Sequence, residues 1–370
     1  MTHGNNGHET GRTNTKILTL KKAAAFILII LVIAAAGMVA GISYFNHFIT
    51  APGNSTGFWG QRQTREAVDV LFTIEPGESL KATAKRLEEE GLVTNGYLFR
   101  LMAVARGRAK KIQAGEYLLS TSLSPENILD YMVRGRVKLY RFTIPEGLTI
   151  KDIAQVVENA GFGKKERFIE LAGNSSFIQD LNLQEIMDGI APPINSLEGY
   201  LFPDTYSFGG HAEPGEIIAV MVKRFKQIFI PLWRERHPDH ELSPHETVTL
   251  ASIIEKETGA AHERPLISSV FHNRRHRKMR LQSDPTVIYG IPDFSGSITR
   301  SQLKEPTPYN TYTIAGLPPG PIANPGKESI KAALFPEKSG YLYFVSKNDG
   351  THVFSNSLKD HNRAVRQYQR

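Results

Sequence analysis

Between Lys22 and His47 lie 24 residues without a formal charge, AAAFILIILVIAAAGMVAGISYFN. Rising 1.5 Å per residue as a helix, this run is about 36 Å long and spans the ~30 Å hydrocarbon core of a bilayer. No other feature constrains the chain as much, because it ties one end to a membrane and leaves the rest to fold in water. Lys16, Lys21 and Lys22 flank its N-terminal side, and neither Lys nor Arg follows until Arg62. The positive-inside rule then makes residues 1–22 a cytoplasmic tail, residues 23–46 a single transmembrane helix, and the remainder external to the cytoplasm. A cleaved signal peptide carries an apolar stretch of about 7–15 residues. The longer run here is read as a retained anchor in a bacterial inner membrane. Residues 47–69 read as a linker, since 51–66 (APGNSTGFWGQRQTRE) lack apolar periodicity and are rich in turn formers.

Composition narrows the function classes. With 370 residues, 41% hydrophobic and 22% charged, the chain has room for two or three domains and a sizeable core, and is neither disordered, collagen-like nor multi-pass. Cysteine is absent, which removes disulfide frameworks, thiol nucleophiles and Cys-ligated metal sites. The net charge of +7 invites a nucleic-acid partner, but Arg12, Lys16, Lys21 and Lys22 against Glu9 leave only +4 beyond residue 22. The one dense basic run, Arg274, Arg275, His276, Arg277, Lys278 and Arg280, reads as a solvated helix face without an aromatic nucleic-acid signature. No nucleic-acid partner is expected.

The N-terminal half repeats itself. FTIEPGESLKATAKRLEEEGL begins at Phe72 and FTIPEGLTIKDIAQVVENAGF at Phe142. Phe72/Phe142, Ile74/Ile144, Gly77/Gly147, Ala84/Ala154 and Gly91/Gly161 coincide at a gapless offset of 70. Each copy predicts a short strand, a Gly turn and an amphipathic helix, with Ser79 and Thr149 as N-caps and Gly91 and Gly161 at the C-terminal ends. After the first copy come a second helix, a strand at 114–119 and a further helix. This strand–helix–helix–strand order over residues 70–138 resembles a LysM-type module, a small fold common in proteins that hold peptidoglycan glycan. Neither copy offers paired acids, a metal set or a nucleophile with a base.

The chemistry is expected after residue 190, in four segments: LEGYLFPDTYSF (197–208), TLASIIEKETG (249–259), MRLQSDPTVIYG (279–290) and TPYNTYTIAGLPPGPIANPG (307–326). In the second, Leu250, Ile253 and Ile254 share a helix face. Glu255 and Glu257 are about 200° apart around that helix, so only one of them faces a given cleft. Glu257 lies near the apolar stripe. Glu255 lies beside Ala251, Ser252 and Gly259, whose small side chains leave room for a ligand. A half-buried carboxyl has its pKa raised by desolvation and suits general acid work. Gln282, Ser283, Asp284, Tyr289, Tyr309, Asn310, Thr311 and Tyr312 mix hydrogen-bonding groups with flat rings, the combination that sugars need.

Rival chemistries fail on the residues. His245-Glu246 has Thr249 where HExxH needs its second His. His237, Asp239, His240 and His245 form only a loose, Pro-punctuated metal candidate. There is no GxSxG elbow and no P-loop, and Ser301–Lys304 has the SxxK spacing without its companion motifs. The expectation is neither metal nor cofactor.

LEGYLFPDTY, ASIIEKET, LQSDPTVIYG, YNTYTIAGLPPGPIANPG and YLYFVSKNDGTHVFSNSLKDHN, in this order, closely resemble the endolytic murein transglycosylases, the YceG-like family. The likeness runs from Phe72 to the C-terminus. It implies an α+β protein: an N-terminal transmembrane helix, a LysM-like module and a mixed α/β catalytic domain over 139–370. It implies a periplasmic lyase that cleaves the MurNAc–GlcNAc bond of peptidoglycan without hydrolysis, leaves 1,6-anhydro-MurNAc ends and terminates nascent glycan strands. Partners implied are peptidoglycan strands and cell-wall synthases (penicillin-binding proteins). Residue by residue, the resemblance makes Glu255, the first Glu of EKET, the catalytic acid and Glu257 structural. Glu198 and Tyr200 of the LEGY motif join the candidate substrate-binding residues named above. A non-catalytic wall-binding protein and a synthase scaffold are the alternatives; product analysis and rescue of a deletion strain by an acid-dead variant tell them apart.

Overall fold

The computed structural model describes residues 10–52, 55–56, 63–64, 66–183, 194–257, 259–292 and 294–369. They divide into two compact units, Met1–Lys138 and Leu139–Arg370.

The first unit opens with helix α1 (Thr10–Thr50). Its apolar portion, Ala24–Thr50, has a mean hydropathy of 2.9 in its most apolar stretch, none of which is buried within the protein. Two residue pairs, β1 (Ser55–Thr56) and β2 (Gln63–Thr64), form a short antiparallel ladder. Then follow β3 (Asp69–Ile74), α2 (Leu80–Glu89), α3 (Gly96–Ala105), β4 (Gly115–Ser120) and α4 (Pro125–Val133). β3 and β4 pair antiparallel, Phe72 opposite Tyr117 and Val70 opposite Leu119. Those residues face a core built with Leu87, Phe99, Met102 and Ile128, while Leu71 and Leu118 point outward. Strand, helix, helix and strand thus occur in the expected order. The linker expected from residue 47 begins later. Phe48 and Ile49, beside half-buried Phe45, join the module core. Fully burying such a side chain stabilises by about 1.5–3 kcal/mol, which favours carrying the helix on to Thr50.

The second unit begins with β5 (Leu139–Thr143), α5 (Ile150–Asn159), α6 (Lys165–Ala172) and α7 (Ser175–Asp180), then β6 (Thr205–Gly209), which pairs antiparallel with β5. The repeat is visible in the chain's caps. Ser79 Oγ accepts from the Ala82 N–H and Thr149 Oγ1 from the Asp152 N–H, the latter in a full capping box. Gly91 and Gly161 both take positive φ, 69° and 87°, where an L side chain is strained. Long α8 (Pro214–Arg234) covers this layer with Phe225 and Phe229.

Next come α9 (Pro244–Glu257), α10 (Arg264–His276), α11 (Asp284–Tyr289) and α12 (Lys327–Leu334). α9 is not the one-faced helix that its apolar stripe predicts. Thr247 through Ile254 are all buried, enclosed by α10, α11 and α12. Its polar groups are satisfied within: Thr249 Oγ1 donates to the His245 carbonyl and Ser252 Oγ to the Thr249 carbonyl. Its two ends reach the surface, through His245 and Glu246 in the first turn and Glu255 to Glu257 in the last. A hairpin of β7 (Tyr343–Ser346) and β8 (His352–Ser355) follows, turning through Asn348 and Gly350 at positive φ, as the Asn-Asp-Gly run predicts. α13 (Leu358–Tyr368) packs against it.

Candidate active site

The last turn of α9 sends its two glutamates to different places. Glu255 enters a buried ion pair: Arg264 Nη2, at the start of α10, is 3.1 Å from Glu255 Oε1, and their side chains are only 6% and 10% exposed. Its other oxygen accepts from the Gly326 N–H at 2.9 Å. The room expected beside Ala251 and Ser252 is filled. Ser252 Oγ accepts from the Ile322 N–H at 3.0 Å, so the 322–326 loop lies where a ligand was expected. Both Glu255 oxygens are thus engaged by donors of the protein.

Glu257 faces a groove of about 660 Å³, lined also by Gly259, Arg274, Gln282, Asp284 and Tyr312. Ser283 Oγ donates to Glu257 Oε1 at 2.5 Å. Burial pushes the Glu257 carboxyl up to about 7, and the Asp284 charge adds to the rise against the opposing Ser283 hydrogen bond and the Arg274 guanidinium. A carboxyl in that state is protonated in an appreciable fraction of molecules near neutrality, the condition for a general acid. Of the two glutamates, Glu257 lines the groove, while Glu255 is held by Arg264 and Gly326.

Five of the expected site residues gather around it. Gln282 lies at the groove with φ 53°, a left-handed conformation uncommon for a side chain of that size. Its N–H donates to the Thr311 carbonyl at 3.2 Å. Thr311 Oγ1 accepts from the Ser283 N–H at 2.9 Å, and the Tyr312 hydroxyl donates to Asp284 Oδ1 at 2.6 Å. The two loops brace each other and present Gln282, Asp284 and Tyr312 to the groove.

Of the other candidates, Glu198, Tyr200 and Asn310 are buried and Tyr289 and Tyr309 half-buried. Glu198 is buried and accepts from the Ile150 N–H at 3.1 Å, Asn324 Nδ2 at 2.8 Å and the Tyr289 hydroxyl at 3.2 Å. Burial pushes its carboxyl up to about 7 despite these donors. Tyr200 is fully buried and shares a 2.7 Å hydrogen bond with His245 Nδ1. Asn310, also fully buried, donates to the Glu305 carbonyl at 2.7 Å. The rings of Tyr289 and Tyr309 pack against each other at a 57° tilt, centres 4.8 Å apart. Glu198, Tyr200 and Asn310, expected to contact glycan, are buried here, and their polar atoms satisfy groups that would otherwise lack partners. The loose histidine set is divided as well: His245 binds Tyr200 and the Pro319 carbonyl, His240 binds Thr247.

Two buried polar side chains that organise the site's loops escaped the sequence reading. Arg274, placed on a solvated face, is 7% exposed. Its Nε donates to the Leu342 carbonyl at 2.6 Å, its Nη1 to the Leu281 carbonyl at 2.8 Å and to Gln282 Oε1 at 3.3 Å. The signal was present: Arg274 continues the Ile267, Val270, Phe271 stripe at i, i+3, i+4 and i+7. Asn324 is the other. Its Oδ1 accepts from the Gly199 and Leu201 N–H groups at 3.0 and 2.9 Å, locking the LEGY turn to the loop that ends at Gly326.

Comparison with known proteins gives consistent matches. The YceG-like family model matches residues 72–367. An endolytic murein transglycosylase of Bacillus subtilis (strain 168) is 33% identical over 307 residues, 81% of this chain and 84% of the relative. An endolytic murein transglycosylase of Streptococcus pneumoniae (serotype 2, strain D39) is 29% identical over 324 residues, 81% of this chain but 58% of that longer relative. The 2.6 Å crystal structure of a yceG-like protein from Listeria monocytogenes aligns with a TM-score of 0.55 at 33% identity, covering 81% of this chain and 100% of that one.

Proposed function

The chain belongs to the YceG-like family, and we propose that it cleaves peptidoglycan glycan strands as an endolytic lytic transglycosylase with Glu257 as its acid. Its relatives' activity makes it a lyase acting on the cell wall. The observation that carries the acid assignment is the contrast within one helix turn: Glu255 is committed to Arg264 and Gly326, while Glu257 lines the groove with a raised pKa.

In this reading Glu257 donates its proton to the oxygen leaving C1 of N-acetylmuramic acid. Positive charge develops at C1 beside Asp284, whose carboxylate lies in the same groove. Glu257, now a carboxylate, takes the proton of the muramic C6 hydroxyl, which closes on C1 and leaves a 1,6-anhydro end. Ordinary glycosidases need two carboxylates. Here the nucleophile belongs to the substrate and is held at high effective molarity, so one suffices. Cleavage of this kind within a growing strand would terminate its elongation, which places cell-wall synthases among the proposed partners. The strand–helix–helix–strand order of the first unit supports a LysM-like, glycan-holding role.

Mass analysis of products from purified glycan strands tests the reaction. Ends 18 Da lighter than reducing muramic acid, with no oxygen from labelled water, are expected from loss of one water equivalent. Reducing ends carrying the label would mean hydrolysis and overturn the reading.

α1 supports a single-pass inner-membrane anchor with residue 1 cytoplasmic and residue 370 periplasmic. Alkaline phosphatase fused after Arg370 is expected to be active. A silent phosphatase with a fluorescent cytoplasmic reporter at the same site would reverse the orientation.

A further inference from the structure

The first unit carries an apolar stripe for which the glycan-cleaving groove has no use. On α3, Tyr97, Leu101 and Val104 are 68%, 46% and 57% exposed. Their spacing of i, i+4 and i+7 places them on one face, opposite Phe99, Met102 and Ala103, which fill the core. α3 contains no acidic residue. Its exposed Arg100 borders the stripe, and the turn that follows adds exposed Lys110 and Lys111. Arg106 and Arg108 next to them already pair with Glu126 and Asp130. An apolar face with a Tyr, bordered by cations and lacking acids, has the makeup of a helix that lies in a membrane interface.

The module that carries this face is joined directly to the apolar helix α1. α1 packs on α3 and α4, and its exit turn contributes Phe48 and Ile49 to the module core. The uncharged run of α1 ends at Asn46, about where a ~30 Å hydrocarbon core ends for a helix rising 1.5 Å per residue. No slack chain separates the hydrocarbon from the module. We propose that the Tyr97–Leu101–Val104 face of α3 inserts into the interface of the same bilayer that α1 crosses, with Arg100, Lys110 and Lys111 on anionic lipid headgroups. The module is then held against the membrane surface at a fixed tilt instead of swinging on a tether. This rests on the reading of α1 as a membrane helix.

The chain has no cysteine, so single labelling sites can be introduced cleanly. Full-length protein with Leu101→Cys, carrying an environment-sensitive fluorophore, is reconstituted into nanodiscs of phosphatidylethanolamine and phosphatidylglycerol. Leu118→Cys is the control, since Leu118 is 50% exposed on the outer face of β4, away from the helices. Incorporation into discs tests the anchor by itself. With the protein incorporated, the label at 101 is expected to emit at shorter wavelength than the label at 118 and to be quenched by lipids brominated along the acyl chain. Lys110→Glu with Lys111→Glu is expected to remove most of that quenching. A label at 101 as water-exposed as the one at 118 would overturn the proposal. So would a blue shift without quenching by brominated lipid, which would mean that a protein surface, not lipid, covers the stripe.

Discussion

Glu257→Gln is expected to lower glycan cleavage by about 10²–10⁴-fold, the usual worth of a positioned general acid, while the protein stays folded. Gln keeps the shape and still accepts from Ser283 Oγ, which reaches Glu257 at 2.5 Å, but it cannot donate and then retrieve a proton. The wild-type enzyme must hold its acid protonated, so kcat/KM is expected to fall as pH rises through an apparent pKa near the Glu257 value of about 7. The stability effect has a definite sign. The folded pKa lies above that of an unfolded Glu, ~4.3. Its contribution to stability is complete below that unfolded value and is lost as pH rises through about 7. Removing the titrating group should therefore make Glu257→Gln melt at least as high as the parent above neutrality. Retained activity in Glu257→Gln, with loss in a folded Glu255→Gln, would return the acid to Glu255.

The second large effect is on stability. Glu255 and Arg264 form an ion pair 6% and 10% exposed, and removing one member of such a pair leaves the other charge buried, at about 3–5 kcal/mol. Glu255→Gln and Arg264→Met are each expected to lower the melting transition of the second unit strongly. Without Glu255, Arg264 keeps only the longer 3.8 Å pairing with Glu146, and its Nε already lacks a hydrogen-bond partner. The double variant removes both charges together, so its cost is expected to be well below the sum of the single costs. Urea melts of the four proteins, followed by a probe in residues 139–370, give the coupling directly. Additive losses would show that the pair does not act as a unit. Below its melting transition Glu255→Gln should keep much of its activity, which separates this role from that of Glu257.

The repeat shows why parts of the architecture were legible. N-caps at Ser79 and Thr149 and left-handed glycines at 91 and 161 depend on residues within one turn. The Asn348–Gly350 hairpin is equally local, and so is the apolar length of α1. The linker was misplaced because the burial of Phe48 and Ile49 depends on partners such as Phe99 and Ile128 far along the chain. Hydropathy alone marks those two residues as apolar without saying what covers them.

The candidate site divides in the same way. Its segments were recognisable from their mixture of rings, amides and carboxyls, and Gln282, Ser283, Asp284, Thr311 and Tyr312 do gather with a glutamate of α9. Residue types and short spacings carry that much. Helical phase also said that Glu255 and Glu257 point apart, but not which of the two directions is the groove. Their surroundings are set by Arg264, Gly326, Ser283 and Arg274, which lie between 9 and 71 positions from the glutamates they contact or face. A carboxyl's protonation state follows from the charges and burial around it. Those are set by packing across the fold, so only the tertiary structure shows which glutamate sits in a buried ion pair and which lines the groove.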